Sequence, residues 1–158
     1  MADSETGSDR TAAVNISDVL LDVELGTTDG PIPFVISSDL NEQYLYAQRD
    51  YSPLYINNDS GRDIAYPGAV LHAASTGTLR HPKLSEGWTR RVGRDEVEWH
   101  AAVYVDEPLE VSCTYVSFTE RKGRPWLERE IVIRNTAGEL KLIRRAHTAH
   151  IQLRPAGD

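Results

Sequence analysis

From Trp88 onward, apolar and polar residues take turns along the chain. Val97 and Trp99 alternate with Glu96 and Glu98. Leu109, Val111, Cys113 and Tyr115 alternate with Glu110, Ser112 and Thr114. Leu127, Ile131 and Ile133 share a face that Arg129 interrupts. Ile143, His147, Ala149, Ile151 and Leu153 share another, with Arg145 in the series. In an extended chain, successive side chains point to opposite faces, so this pattern predicts a sheet with one face buried. Arg121-Lys122-Gly123-Arg124 and Asn135-Thr136-Ala137-Gly138 carry the residues of tight turns. The second half therefore reads as about four antiparallel strands.

The first half has a different rhythm. Ile32 to Ile36 reads as a short strand. Asp39 followed by Glu42 has the spacing of a capping box, and Leu40, Tyr44 and Ala47 then mark one helical face. This helix is expected to stop near Asp50, ahead of Pro53. Pro67-Gly68 opens a second helix, Ala69 to Arg80, with small residues at Ala73, Ala74, Ser75 and Gly77. So little charge and bulk predicts a buried helix, and Gly77 predicts a close backbone approach. Strand, helix, loop, buried helix and strands together predict an α+β architecture: an antiparallel sheet wrapped around one central helix.

The chain has 158 residues, the length of one domain. Residues 1–14 are small, polar and charged, which predicts a disordered tail, and 154–158 a frayed end. Lys plus Arg total 17 and Asp plus Glu 24, a formal charge of −7 that disfavours nucleic acid as a partner. The single cysteine, Cys113, excludes an internal disulfide and a cysteine-based zinc cluster. No apolar run is long enough to span a membrane, and the N-terminus has no apolar signal core. The expectation is a cytoplasmic protein with no membrane partner. His147 and His150 fall on opposite faces of one strand, and His81 and His100 have no ligand-like neighbours, so no metal and no cofactor are expected.

The stretch Gln48-Arg49-Asp50-Tyr51-Ser52-Pro53-Leu54-Tyr55-Ile56-Asn57 carries the most information. It resembles the MaoC-like family of enoyl-CoA hydratases and dehydratases, whose motif reads roughly G-D-x-N-P-[LIV]-H-x-D. Asp50, Pro53 and Leu54 match, and Ser52 replaces the asparagine. Ile64-Ala65-Tyr66-Pro67-Gly68 is similar to the family's turn into its central helix. The resemblance covers roughly residues 17–153 and implies a single hot-dog fold, here residues 15–153. It implies an acyl thioester or related small hydrophobic substrate, and pairing with a second hot-dog subunit as a homodimer or heteromer.

The departure is at Tyr55, which stands where the family has its catalytic histidine. General acid–base work suits a group with a pKa near the working pH, which a histidine has and an ordinary tyrosine does not. Tyrosine serves without adjustment as an acid or hydrogen-bond donor. The resemblance implies catalytic roles for Asp50 and Tyr55. It also implies that the Gly68 N–H, at a helix start, polarises the thioester carbonyl. Each residue also has a plain structural reading. Asp50 suits an Asx turn, Tyr55 a packed aromatic, and Pro67-Gly68 a mere helix start. Tyr51, Pro53 and Tyr66 are expected as pocket walls or loop anchors. His72, one turn after Gly68, either enters the acyl tunnel as a substitute base or is a satisfied core histidine.

Three functions stay open on the sequence. The first is an acyl-thioester dehydratase or hydratase with an altered Asp-Tyr site. The second is a non-catalytic subunit that completes the tunnel of an Asp-His partner. The third is a cyclase or isomerase on a polyketide-like or terpenoid ligand. Arg121, Lys122 and Arg124, with Arg144 and Arg145, either meet a phosphate-bearing carrier or are solvated charge.

Overall fold

The computed structural model describes residues 14–153. The predicted frayed end and all but Val14 of the predicted tail lie outside the described residues. A one-turn helix α1 (Ile16–Val19) leads to strand β1 (Thr28–Phe34) and helix α2 (Ser38–Gln48). Helix α3 (Pro67–His72) continues as a π-helical stretch, Ala73–Thr78. Four long strands follow: β2 (Trp88–Trp99), β3 (Leu109–Arg121), β4 (Arg124–Asn135) and β5 (Leu140–Gln152). With β1 they form one five-stranded antiparallel sheet in the order β1-β3-β4-β5-β2. Register shifts between Asp29 and Ile32, Val92 and Arg94, and Tyr115 and Ser117 curl this sheet, because each extra residue bends its strand. The sheet curls around α3, which is an α+β hot-dog-like fold.

The inner face shows why the chain folds this way. Ala69, Val70 and Ala74 of the central helix share one buried cluster with Val111, Cys113, Ile131, Ile133 and Leu142 of the sheet. Small residues on the helix let it sit deep in the curl. A second cluster closes the other end, where Val19 and Leu20 meet Tyr115 and Leu127. The alternation of β3 is realised from Leu109 to Tyr115, with every second residue buried. Both predicted turns form, with Lys122 and Gly123 at φ 53° and 70° and Gly138 at φ 89°.

Several expectations are corrected. Strand β1 begins earlier than Ile32 and ends at Phe34. Helix α2 is capped by Ser37, whose Oγ accepts the Leu40 N–H at 3.2 Å, so Asp39 and Glu42 form no capping box. Leu40 and Tyr44 pack against the core as expected, beside the buried Asn41 and Leu45, but Ala47 is exposed. The central helix starts at Pro67 and leaves α geometry after His72. There Ser75 Oγ donates to the Leu71 carbonyl at 2.6 Å and Thr78 Oγ1 to the Ala73 carbonyl at 3.0 Å. Hydroxyls that bond back to helix carbonyls compete with the regular ladder. Gly77 makes no close approach, since a Cβ there meets nothing within 4 Å. Gly93 makes it instead: a Cβ would fall 2.0 Å from the Trp126 ring. In β5 the helix-side residues are Leu142, Ala146, Thr148 and His150, opposite to the odd-numbered series expected. Both faces of that strand carry apolar residues, so alternation alone left its register ambiguous.

Candidate functional site

Helix α2 ends with Arg49 in the left-handed conformation at φ 54°, and the Asp50 N–H donates to the Leu45 carbonyl at 3.0 Å. The chain then turns sharply. Asp50 Oδ1 accepts the Ser52 N–H at 3.1 Å, an Asx turn. Ser52 Oγ accepts the Leu54 N–H at 3.3 Å, and its carbonyl accepts the Tyr55 N–H at 3.0 Å. Further on, the Ala65 N–H donates to the Val103 carbonyl at 2.8 Å and fixes the approach to α3.

One residue ties these segments together. Asn41, only 2% exposed, donates from Nδ2 to the Tyr55 carbonyl at 3.0 Å. Its Oδ1 accepts the Tyr66 N–H at 2.7 Å. The Tyr55 and Tyr66 rings meet edge to face, 5.3 Å between centroids. Gly68 lies under Tyr66, since a Cβ on it would stand 3.1 Å from Tyr66 Cε1 and 3.7 Å from Tyr44 Cδ1. Gly68 is the second residue of α3, where the backbone N–H has no partner within the helix. The Tyr44 phenol is held above its ordinary pKa by burial, so it stays protonated. It meets His72 at 5.7 Å, edge to face.

The structure thus brings Tyr55, Tyr66 and Gly68 into one cluster at the start of α3. Asp50 is half-buried one turn away, with its bonds inside its own loop. Pro53 is exposed. Tyr51 is 61% exposed and lines an open cavity of about 480 Å³ with Asp39, Glu42, Tyr46 and Ile56. Leu45 also lines that cavity, and Tyr55, Tyr66 and Gly68 do not. His72 is exposed, not a core histidine. Among the described residues no group of three or more His, Cys, Asp or Glu side chains has a metal-binding arrangement. Among the described residues no helix is long and apolar enough to cross a membrane. Sequence reasoning missed Asn41 and gave Tyr44 only a place on the helical face. Asn41 stands four residues before Leu45, the spacing of one helical face, and that is the signal that marks it as inward.

No protein-family model and no curated protein matches the chain. Solved structures do. A monoamine oxidase regulatory protein from Archaeoglobus superposes with a TM-score of 0.66 at 17% identity, over 87% of this chain and 95% of that one. The (R)-hydratase PhaJ1 from Pseudomonas aeruginosa gives 0.61 at 11% identity, over 89% of this chain and 94% of that one. A chain of the HadBC (3R-hydroxyacyl-ACP dehydratase) complex from Mycobacterium tuberculosis gives 0.62 at 16%, over 82% and 98%. At such identities the likeness establishes the shared fold.

Proposed function

We propose that this chain is a MaoC-like acyl-thioester dehydratase or hydratase acting through Asp50, Tyr55 and Gly68. The observation that carries the reading is the Asn41 strut, which holds the Tyr55 segment against the start of α3 where the Gly68 N–H is free. The fold is shared with proteins described as an (R)-hydratase and a 3-hydroxyacyl-ACP dehydratase, which supports the same reaction class. In this reading the Gly68 N–H receives the thioester oxygen as negative charge builds on it. The Asp50 oxygen not used in the Asx turn takes a proton from water as the water oxygen bonds to the β-carbon. The proton is then delivered to the α-carbon, and dehydration is the reverse. Tyr55 donates a hydrogen bond to the water or β-hydroxyl and places it. Tyr51, Pro53 and Tyr66 border the acyl chain, and His72 stands at the rim.

Two features favour a second reading, in which the chain completes the tunnel of a catalytic partner. Tyr55 replaces the histidine, and the surface beside the loop is open, with Leu54 46% exposed. Purified chain is expected to hydrate crotonyl-CoA, read as loss of enoyl absorbance, and Asp50→Asn to abolish this with the fold intact. Activity seen only after adding a hot-dog partner with an intact Asp-His pair would support the second reading. Activity that survives Asp50→Asn would remove Asp50 from the site.

Association is part of the proposal. Strand β2 is an edge strand twelve residues long. Its first half carries Arg91 and its second half Asp95, Glu96 and Glu98, with Arg94 just past the middle. An antiparallel copy of the same strand, centred on the middle, sets Arg91 against Glu96 of the other copy, which favours a homodimer. Sedimentation is expected to show a dimer at micromolar concentration that weakens when Arg91 and Arg94 are both changed to glutamate. A stable wild-type monomer would contradict it.

A further inference from the structure

A second polar site lies inside the curl, past the end of the central helix. The register pairs Arg90 with His150 and Leu127 with Thr148, and Arg129 stands two residues along β4 from Leu127 on the same face. These five side chains, closed over by His81 and Pro82, line a cavity of about 90 Å³. Arg90 Nη2 donates to the Pro82 carbonyl at 2.7 Å, which fastens the covering loop. Among the described residues no carboxylate lines the cavity. Asp22, the acidic residue that acts on Arg90, is already held by Arg80 at 2.7 Å and by the Lys83 N–H at 2.7 Å.

The cluster is under-satisfied. His150 is 2% exposed, and its Nδ1 has no hydrogen-bond partner among the described residues. Arg129 is half-buried, but its Nε is shut off from solvent without a hydrogen-bond partner, and Arg129 forms no ion pair among the described residues. Buried polar groups are normally bonded, and buried cations normally paired. Burial, then the nearby Arg90 and Arg129 charges, push the His81 and His150 imidazoles down, while the Pro125 carbonyl pulls His150 partly back. Every one of these features is relieved by the same thing, an anion with several acceptor oxygens.

We propose that this cavity binds a phosphate group, with Arg90 and Arg129 as its cationic clamp and Thr148, His150 and His81 as further donors. Two guanidinium groups with flanking imidazoles suit a doubly charged tetrahedral oxyanion better than a single carboxylate. The cavity has room for one such group and not for a nucleotide. Exposed His81 stands at the mouth, so a phosphate on a larger molecule enters from that side. The site is separate from the Tyr55 cluster and does not depend on the reading given to it.

The test is a titration of the full chain with inorganic phosphate at constant ionic strength, followed by the His150 and His81 imidazole NMR signals. The expected result is a saturable shift of both, with a rise in thermal midpoint absent in matched chloride. Arg129→Met is expected to weaken binding at least tenfold. It should also leave the phosphate-free protein as stable as wild type or more so, because an unpaired, half-buried charge is gone. His150→Gln serves as a second variant with the same expected loss. Glycerol phosphate binding tighter than inorganic phosphate identifies a phosphomonoester as the ligand; the reverse order identifies the free ion. The proposal is overturned by the lack of a saturable shift, by an equal response to acetate, or by unchanged binding in both variants.

Discussion

Replacing Lys141 by methionine will destabilise the fold by about 3–5 kcal/mol, the usual consequence of removing one partner from a buried ion pair. Lys141 is 2% exposed, yet its ammonium is fully engaged. Nζ donates to the Ala102 carbonyl at 2.9 Å and pairs with Glu107 at 2.9 Å and Glu139 at 2.6 Å. Glu107 also accepts the Tyr104 N–H at 3.0 Å and the Asn135 amide at 3.2 Å. The variant leaves the nearly buried Glu107 without its cation. Changing Glu107 to glutamine in the same chain should recover part of the loss, because the uncompensated charge goes with it. Urea unfolding of the three proteins measures this, and equal stability of Lys141→Met and wild type would refute it. The pH dependence follows from the two shifts. Although burial opposes it, bonds to Glu139 and Glu107 hold Lys141 above its ordinary 10.5, so its contribution is complete below that pH and fades as pH rises through the folded value. Burial opposes the shift of Glu107 too, but Lys141, Tyr104 and Asn135 hold it below its ordinary 4.5. Its contribution is present above that pH and fades as pH falls through the folded value. The network is therefore at full strength across neutral pH and fails at both extremes.

Asn41→Leu is expected to cost about 1–3 kcal/mol for each of the two backbone groups it leaves unpaired, the Tyr55 carbonyl and the Tyr66 N–H. Asn41→Asp separates the two. A carboxylate still accepts the Tyr66 N–H but cannot donate to Tyr55, so only the 51–56 loop is released. Hydrogen exchange should then show faster exchange of the Tyr55 amide with Tyr66 still protected. If the chain hydrates crotonyl-CoA, Asn41→Asp should lose activity while staying folded. Full activity with a freed loop would detach Tyr55 from the chemistry.

Much of this fold was legible because alternation is a direct consequence of strand geometry. Leu109 to Tyr115 shows it plainly, and the Lys122-Gly123 and Asn135-Gly138 turns bound the strands as expected. Strand β5 was not legible in the same way. Ile143 and Ile151 are as apolar as Leu142 and Ala146, and only pairing with β4 decides between the faces. The buried Lys141 gave no signal, since a lone lysine between leucines reads as the solvent side of a strand. At the candidate site, Asp50, Tyr55 and Gly68 fall on two neighbouring segments and were visible as a motif. Asn41 was hidden because an asparagine on a helix ordinarily faces water. The phosphate-sized cavity was invisible for a stronger reason: its residues come from the segment after the central helix and from three strands. Only the curl of the sheet makes them neighbours.

The seating of Trp126 against Gly93 gives the molecule an optical property. All three tryptophans of the chain attend one strand: Trp88 and Trp99 are the first and last residues of β2, and Trp126 rests on its middle. Intrinsic fluorescence therefore reports on that edge strand along its whole length and only weakly on the Tyr55 cluster. Any chain that comes to lie along β2 will change the emission colour, while a small molecule held near Gly68 will leave it nearly unaltered. The protein thus carries a built-in signal that separates assembly along β2 from binding beside Gly68 without a label.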